Sequence, residues 1–469
     1  MDSTMPWLTR PTSEAMQKSN CSFYPHENAS SHASFESSRS VGQNSNGSEV
    51  NLCRENEKKG QEIIETSGNK AQDVSPIPNG GLTAWLQVLG GFFLLFNSWG
   101  IINTFGSFQA YYETNLLADS SPSSISWIGS IQAFLLVLVG ALTGPIYDAG
   151  YFRALLLTGS AMLVLGQMML SLCQTYYQVL LAQAFCIGIG AGCLFIPSIA
   201  ILSTYFSTHI GLAIGLAASG SSLGGVIYPI VFHKLLPQIG FAWSTRVLGF
   251  IILGTMMIPN ACMRVRVLPA TSRSLIDLRA FALPAYSLQV VGFFLGFMGL
   301  YMPFFYVQVY AVEAKITTGT LVFYLLPIMN GTSVIGRIVP NLLSDKIGPF
   351  NAVIPCSLIS ALLCICFIPV STTPSVIVLI ACYGFFSGAF VSLPPTIIVH
   401  LSADARNKIG TRLGQSFGIV AFGLLIGTPI GGAILEHGGF VGLWVFAGSL
   451  FLDSDGSGID TKEQADVVT

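Results

Sequence analysis

Arg337 is the residue of this sequence most able to bind something. It lies inside an apolar run, 317–341, where an ionisable side chain is costly unless it faces a bundle interior or a wet cavity. A guanidinium offers a fixed fork of donors that matches a carboxylate. Arg337 is therefore the expected counter-charge for an organic anion. The competing reading places it in a clamp with Asp345, eight residues later and about 12 Å along a helix. Both readings stand at this level.

Two acidic turns form a second constellation. One reads Gly144-Pro145-Ile146-Tyr147-Asp148 and continues to Arg153; the other runs from Gly336-Arg337 to Asp345-Lys346-Ile347-Gly348-Pro349. An Asp at a helix end can cap a neighbouring helix N-terminus and pair with a cation. Asp148, Arg153, Asp345 and Lys346 are thus expected as a gating clamp. The plainer reading is a solvated turn, since Asp and Gly favour turns anyway.

A third feature is aromatic. Phe293, Phe294, Phe297, Tyr301, Phe304, Phe305, Tyr306 and Tyr310 crowd one run, and Phe297, Tyr301 and Phe304 share a helical face. They read either as lipid contact, with an interfacial belt at Tyr306 and Tyr310, or as an apolar wall for a ring-bearing substrate. Arg246 is a weaker candidate for substrate contact, and its position suits snorkelling to the interface.

Other chemistry is missing from the pattern. Of the 23 Asp and Glu, ten lie in residues 1–77 and five after Leu452. The rest sit in loops, at span mouths or, for Glu436, at a span edge. A buried carboxylate of the kind that commonly carries a coupling proton is not among them. That leaves a substrate carrying its own proton, a histidine (His209, His233 and His400 all lie near span ends), or transport without protons. Cys364 and Cys366 form a C-x-C without a His or a second pair to complete a metal set. Asp453-Ser454-Asp455-Gly456 imitates the start of a calcium loop, but position twelve is Gln464 rather than a bidentate Glu. With no paired acids, metal set or nucleophile–base grouping inside the runs, an enzyme is not expected, and no cofactor is expected.

The elements that position these residues follow from composition. Charged residues make up 9% and hydrophobic ones 52%, with a mean hydropathy of +0.64. A soluble protein of 469 residues needs a charged surface that this chain lacks. A net charge of −2 provides no broad basic face for nucleic acid. Residues 1–77 are rich in Ser, Asn and Glu and read as a disordered cytoplasmic tail, with sequons at Asn20, Asn28 and Asn46. Twelve apolar runs follow, near 83–105, 125–147, 154–174, 177–203, 210–232, 241–262, 284–310, 317–341, 351–370, 374–400, 411–435 and 439–452. Only helices satisfy every backbone group at this density of bilayer crossings. The fold class is therefore all-α integral membrane.

The twelfth run is about 21 Å long as a helix, short for a full crossing. Its abrupt end at Asp453 is compatible with a truncated or misjoined reading frame, and 453–469 reads as a polar tail. With the N-terminus inside, nine Lys and Arg fall in inner loops and two, Lys234 and Lys315, in outer ones. Both termini are then cytoplasmic, the protein is a multi-pass protein of the cell membrane, and the sequons are silent. The longest break, 263–283, is the central cytoplasmic loop between an N-terminal half, 78–262, and a C-terminal half, 284–452. Asp148 and Asp345, Gly192/Pro197 and Gly388/Pro394, and the glycine-rich fifth and eleventh runs repeat at offsets near 200. Two six-helix halves in a parallel repeat are the plan of a rocking transporter, with the substrate held between them.

The sequence resembles the major facilitator superfamily, and within it the fungal-type monocarboxylate porters. The resemblance rests on Pro78-Asn79-Gly80-Gly81-Leu82-Thr83-Ala84-Trp85, Gly144-Pro145-Ile146-Tyr147-Asp148, Tyr205-Phe206 before Gly211-Leu212-Ala213-Ile214-Gly215, and the Gly336-Arg337 and Asp345–Pro349 segments, and covers about 78–452. It departs where the family's first motif begins with Asp and this chain has Asn79, and where basic residues would follow Phe206. Asn103 stands where carriers of lactate-like acids place a lysine, and Ser333 where they place an Asp. The expected substrate site joins Arg337, and Ser333 and Asn103 at the positions the resemblance marks, with Phe297 and Tyr301 of the aromatic face. The resemblance implies alternating-access movement of a small organic acid, with export of a specialised metabolite as the first reading. Proton-linked uptake of a monocarboxylate or vitamin-like compound is the second, and a non-transporting sensor the third. The expected partners are the substrate, an organic anion, and the lipid bilayer. A proton is one option as coupling ion, and no oligomer is required.

Overall fold

The computed structural model describes residues 79–266, 275–317, 319–402 and 408–468, which form helices joined by turns. The tail with its three sequons lies outside the described residues, as do Arg273, Asp404 and Arg406. Ten of the described helices are long and apolar enough to cross a bilayer. They include α1 (Leu82–Leu116), α2 (Pro122–Asp148), α3 (Phe152–Leu170) and α4 (Tyr176–Thr204). After the central loop come α7 (Pro284–Glu313), α8 (Thr320–Ile347), α9 (Pro349–Cys366) and α10 (Thr373–Leu401).

The remaining two helical stretches are each a pair. Ile210–Cys262 is 53 residues long, about 80 Å if straight and far beyond the hydrocarbon core. Gly240 breaks it at φ 74° and ψ 173°, a conformation open to glycine and strained for other residues. The two rods, α5 (210–239) and α6 (241–262), fold back on each other: the Asn97 side-chain oxygen accepts from both Tyr228 on α5 and Thr255 on α6. Gly439, at φ 63° and ψ −170°, does the same between α11 (409–438) and α12 (440–468). Gly427 on α11 abuts Met298, while Gly299 faces Ala447 and Leu450 on α12. The expected twelve rods are therefore present, and the repeat extends to the two hairpin glycines.

Two expected boundaries are corrected. The first span does not end at 105 but runs helically to Leu116, finishing in a wide π turn over Tyr112–Leu116. Glu113 thus sits on a helix. The last helix does not stop at Leu452 but continues to Val468, with Ser454 buried against Gly296. Residues 453–468 contain no proline, and extending a formed helix adds one hydrogen bond per residue fixed.

Within each half, small residues set the helix crossings, as expected in lipid. Gly220 and Gly224 of α5 lie on the Phe92 and Phe96 carbonyls of α1; Gly423 and Gly427 of α11 lie on the Phe294 and Met298 carbonyls of α7. Gly336, Gly384 and Gly388 knit α8 to α10. The halves meet along two seams. On one, Gly211 and Gly215 of α5 face Asn341 and the Arg337 carbonyl of α8. On the other, Ser130 of α2 and Thr428 of α11 share a 2.6 Å hydrogen bond, and Phe134 packs edge-on against Phe422. By the alternation of spans, Arg153, Arg264, Arg266, Arg279, Lys346, Lys408 and Arg412 gather at one end of the bundle, the basic end.

Candidate substrate site between the two halves

The two seams enclose a central cavity of about 30 Å³. Its wall is aromatic on both sides: Trp99 of α1 and Phe195 of α4 face Phe297 of α7 and Phe417 of α11. Phe195 meets Phe417 edge-on at 5.4 Å between ring centroids, so these two rings close the cavity across the halves. Ser221 of α5 and Arg337 of α8 supply polar atoms to the wall.

Arg337 is 6% exposed, and its guanidinium reaches from one half into the other. Nη1 donates to the Ser221 hydroxyl at 2.7 Å and to the Ala218 carbonyl at 3.4 Å; Nε donates to the Ser333 hydroxyl at 3.4 Å. Neutral dipoles alone hold it among the described residues. Asp345 does not reach it. Its carboxylate instead accepts from the backbone N–H groups of Gly211 at 3.0 Å and Leu212 at 3.1 Å. That is an anion on the positive N-terminus of α5, and it ties α8 of one half to α5 of the other. Asn79 performs a related task at the start of α1, where its side-chain oxygen accepts from the Ser207 and Thr208 N–H groups ahead of α5.

The other expected site residues separate into layers. Phe297 lines the cavity beside Arg337. Tyr301 lies one layer out, stacked on Trp99 at 6.4 Å and 8°. Ser333 stands behind Arg337 and receives the Ser222 hydroxyl at 3.1 Å. Asn103 bonds the Ser221 carbonyl at 3.4 Å, away from the cavity wall. Arg246 lies elsewhere, on Ser171 at 3.1 Å and over the Trp243 ring. Trp99, Phe195, Ser221 and Phe417 line the wall without standing out in the sequence. The Ser219-Gly220-Ser221-Ser222 cluster was the one polar signal available, since an aromatic in an apolar span does not announce which way it faces.

The lipid-facing reading of the α7 aromatics is corrected. Phe293, Phe297, Tyr301 and Phe304 are 2%, 2%, 6% and 9% exposed, and Tyr310 donates to the Phe367 and Val370 carbonyls inside the bundle. A helix buried among others is apolar on every side, so hydropathy cannot separate its lipid face from its packed face.

Asp148 and Arg153 do not pair with each other. Asp148 is buried at the end of α2, whereas Arg153 turns outward and donates to the Asn260 carbonyl at 2.6 Å. Lys346 is exposed and makes no ion pair among the described residues. The ion pairs at the basic end that the structure does show belong to Asp277, in the central loop. It takes Lys408 at 3.1 Å and Arg412 at 3.4 Å, and its backbone N–H donates to Gln415 at 2.9 Å. This clips the central loop onto α11.

Burial pushes the Asp277 carboxyl up, but the hydrogen bonds and charges of Lys408 and Arg412 outweigh burial and hold it below its ordinary value. With the folded value the lower one, the clip is at full strength above the ordinary carboxylate range, about pH 4, and weakens as pH falls through the depressed value. Hydrogen exchange of backbone amides 275–283, corrected for intrinsic rate, is expected to stay flat from about pH 7 to about pH 5 and to rise only below about pH 4. A rise already near pH 6 would show that the carboxyl is not held low.

Two six-helix halves with a buried, charge-bearing cavity on their seam define a membrane transporter of the alternating-access class. The chain belongs to the Major Facilitator Superfamily, whose sequence profile matches residues 88–418. It is a multi-pass transporter and not an enzyme. It is 53% identical over 373 residues to the MFS-type transporter dbaD of Emericella nidulans, covering 79% of this chain and 84% of that one. It is 40% identical over 383 residues to MFS-type transporter 1 of Ophiocordyceps sp., covering 81% and 85%. It is 38% identical over 385 residues to the aspyridones efflux protein apdF of Emericella nidulans, covering 82% and 78%.

Proposed function

We propose that the protein exports a ring-bearing organic acid, a specialised metabolite, across the cell membrane, with the basic end in the cytoplasm. The observation that carries this reading is Arg337: a buried guanidinium on an aromatic cavity, met by hydroxyl and carbonyl oxygens and by no carboxylate among the described residues. Such a cation gains most from a ligand that brings its own negative charge. A relative named for aspyridone efflux supports the direction. The likeness to monocarboxylate porters supports the acid. Among the described residues the cavity wall carries no Asp or Glu to hold a coupling proton.

The test is flux in reconstituted vesicles of a panel of aromatic carboxylic acids and their neutral amides, with and without a pH gradient. Saturable flux of acids but not amides is expected. Amides crossing as fast as acids would end the anion reading.

Asp345 on the α5 N-terminus acts in this scheme as the latch that shuts the basic end. Asp345→Ala removes roughly 1 kcal/mol of capping and dipole interaction. In a variant with its native cysteines replaced, the label reactivity of Ser392→Cys, on the cavity wall, is expected to rise about five-fold from the basic side. Unchanged reactivity would mean that the contact is not a latch.

A further inference from the structure

At the end opposite the basic residues the halves part around a second cavity, of about 520 Å³. That is room for a drug-sized molecule, where the central cavity in this conformation holds about one water. Four helices from both halves build it: Tyr111 of α1, Phe232 and His233 of α5, Gln308 and Glu313 of α7, and Phe323 of α8. Four rings, Tyr111, Phe232, His233 and Phe323, stand among aliphatic and small polar residues in its walls. His233 of one half lies flat on Phe323 of the other, with centroids 3.9 Å apart and planes at 11°. Tyr111 is anchored by stacking on Phe241 at 4.9 Å and 3°.

Glu313 gives the cavity its sign. It is exposed and makes no hydrogen bond or ion pair among the described residues. Gln308 has spent its amide on the Val322 and Phe323 carbonyls, at 3.3 and 3.1 Å. Lys234 and Lys315 are exposed at the same end but do not line the cavity. A carboxylate beside ring faces, which carry negative electrostatic potential, suits a flat cation and repels an acid. This is the reverse of the preference set by Arg337.

We propose that this vestibule is a second binding site, for a flat ring-bearing organic cation such as an aromatic amine. The proposal stands whether or not Arg337 binds an acid. The probes are N-methylacridinium, a permanent cation, and acridine-9-carboxylate, a similar ring with the opposite charge. Their fluorescence is titrated with the full-length protein in lipid nanodiscs.

Saturable binding of the cation is expected, weakened about five-fold by Glu313→Gln and by a similar factor by Phe323→Ala, which removes a ring face. Glu313 is exposed, so its replacement leaves folding intact. Arg337→Ala is expected to leave cation binding unchanged, and acridine-9-carboxylate not to displace the cation from the vestibule. Cation binding equal in wild type and Glu313→Gln, displacement by the carboxylate, or dependence on Arg337 would each overturn the proposal. Loss of acid flux in Arg337→Ala with cation binding kept separates the two sites. Cation binding weakened in Glu313→Gln with acid flux unchanged does so from the other side.

Discussion

Arg337→Ala is expected to cut saturable flux of organic acids about 30-fold or more while leaving the protein folded. Truncating one partner of a buried, hydrogen-bonded charge pair typically costs about 2–5 kcal/mol, and about 2 kcal/mol already corresponds to that factor. Stability is expected to move the other way. In the free protein the guanidinium is buried against hydroxyl and carbonyl oxygens, with no carboxylate among the described residues to repay its desolvation. Its removal should therefore leave the melting temperature equal or higher.

The two readouts separate a binding role from a structural one. A residue that merely stapled α8 to α5 would lose stability and flux together. Arg337→Lys keeps the charge and loses the planar fork, so flux is expected to fall about ten-fold. Acid flux in the alanine variant equal to that of wild type would remove the anion site from this cavity.

The second large effect concerns packing. Gly336→Val is expected to abolish accumulation of folded, monodisperse protein. A Cβ on Gly336 would run into the backbone of Phe385, where no side chain can rotate away. Overpacking in a tight interior costs about 1–3 kcal/mol where neighbours can shift, and more where the obstacle is main chain. The α8–α10 crossing would have to open, and Arg337, the next residue, would move with it. Gly254→Val is the control: a Cβ there meets nothing within 4 Å, and the position is exposed. Size-exclusion profiles and melting temperatures of the two variants in the same detergent check the contrast. Equal behaviour would show that the α8–α10 crossing yields to a side chain.

Hydropathy located all twelve spans, and the offset near 200 residues found the repeat that now includes Gly240 and Gly439. Span ends were read less well. The first span was cut at 105 because Gly106, Ser107 and Gln109 dilute the hydropathy, yet the backbone remains helical through them to Leu116. The last was cut at Leu452 for the same reason. Among the candidate site residues, Arg337 was legible because a cation deep in an apolar span has few explanations. Asp345 was legible from its place at a helix end. The direction of Arg153 was not, since proximity in a turn does not determine where a long side chain points. Arg153 found the open carbonyl of Asn260 at the end of α6.

The amino-acid order by itself determined that this chain is a bundle of membrane helices in two related halves with Arg337 deep inside one span, because solvation by lipid acts on each span alone. Tertiary structure alone decided which residues share a wall. A span that is apolar all round can turn any face inward, and small residues at the crossings choose the rotation. That choice put Trp99, Phe195 and Phe417 beside Arg337, moved Asn103 off the wall, sent Asp345 to α5, and opened the carboxylate-bearing vestibule at the far end.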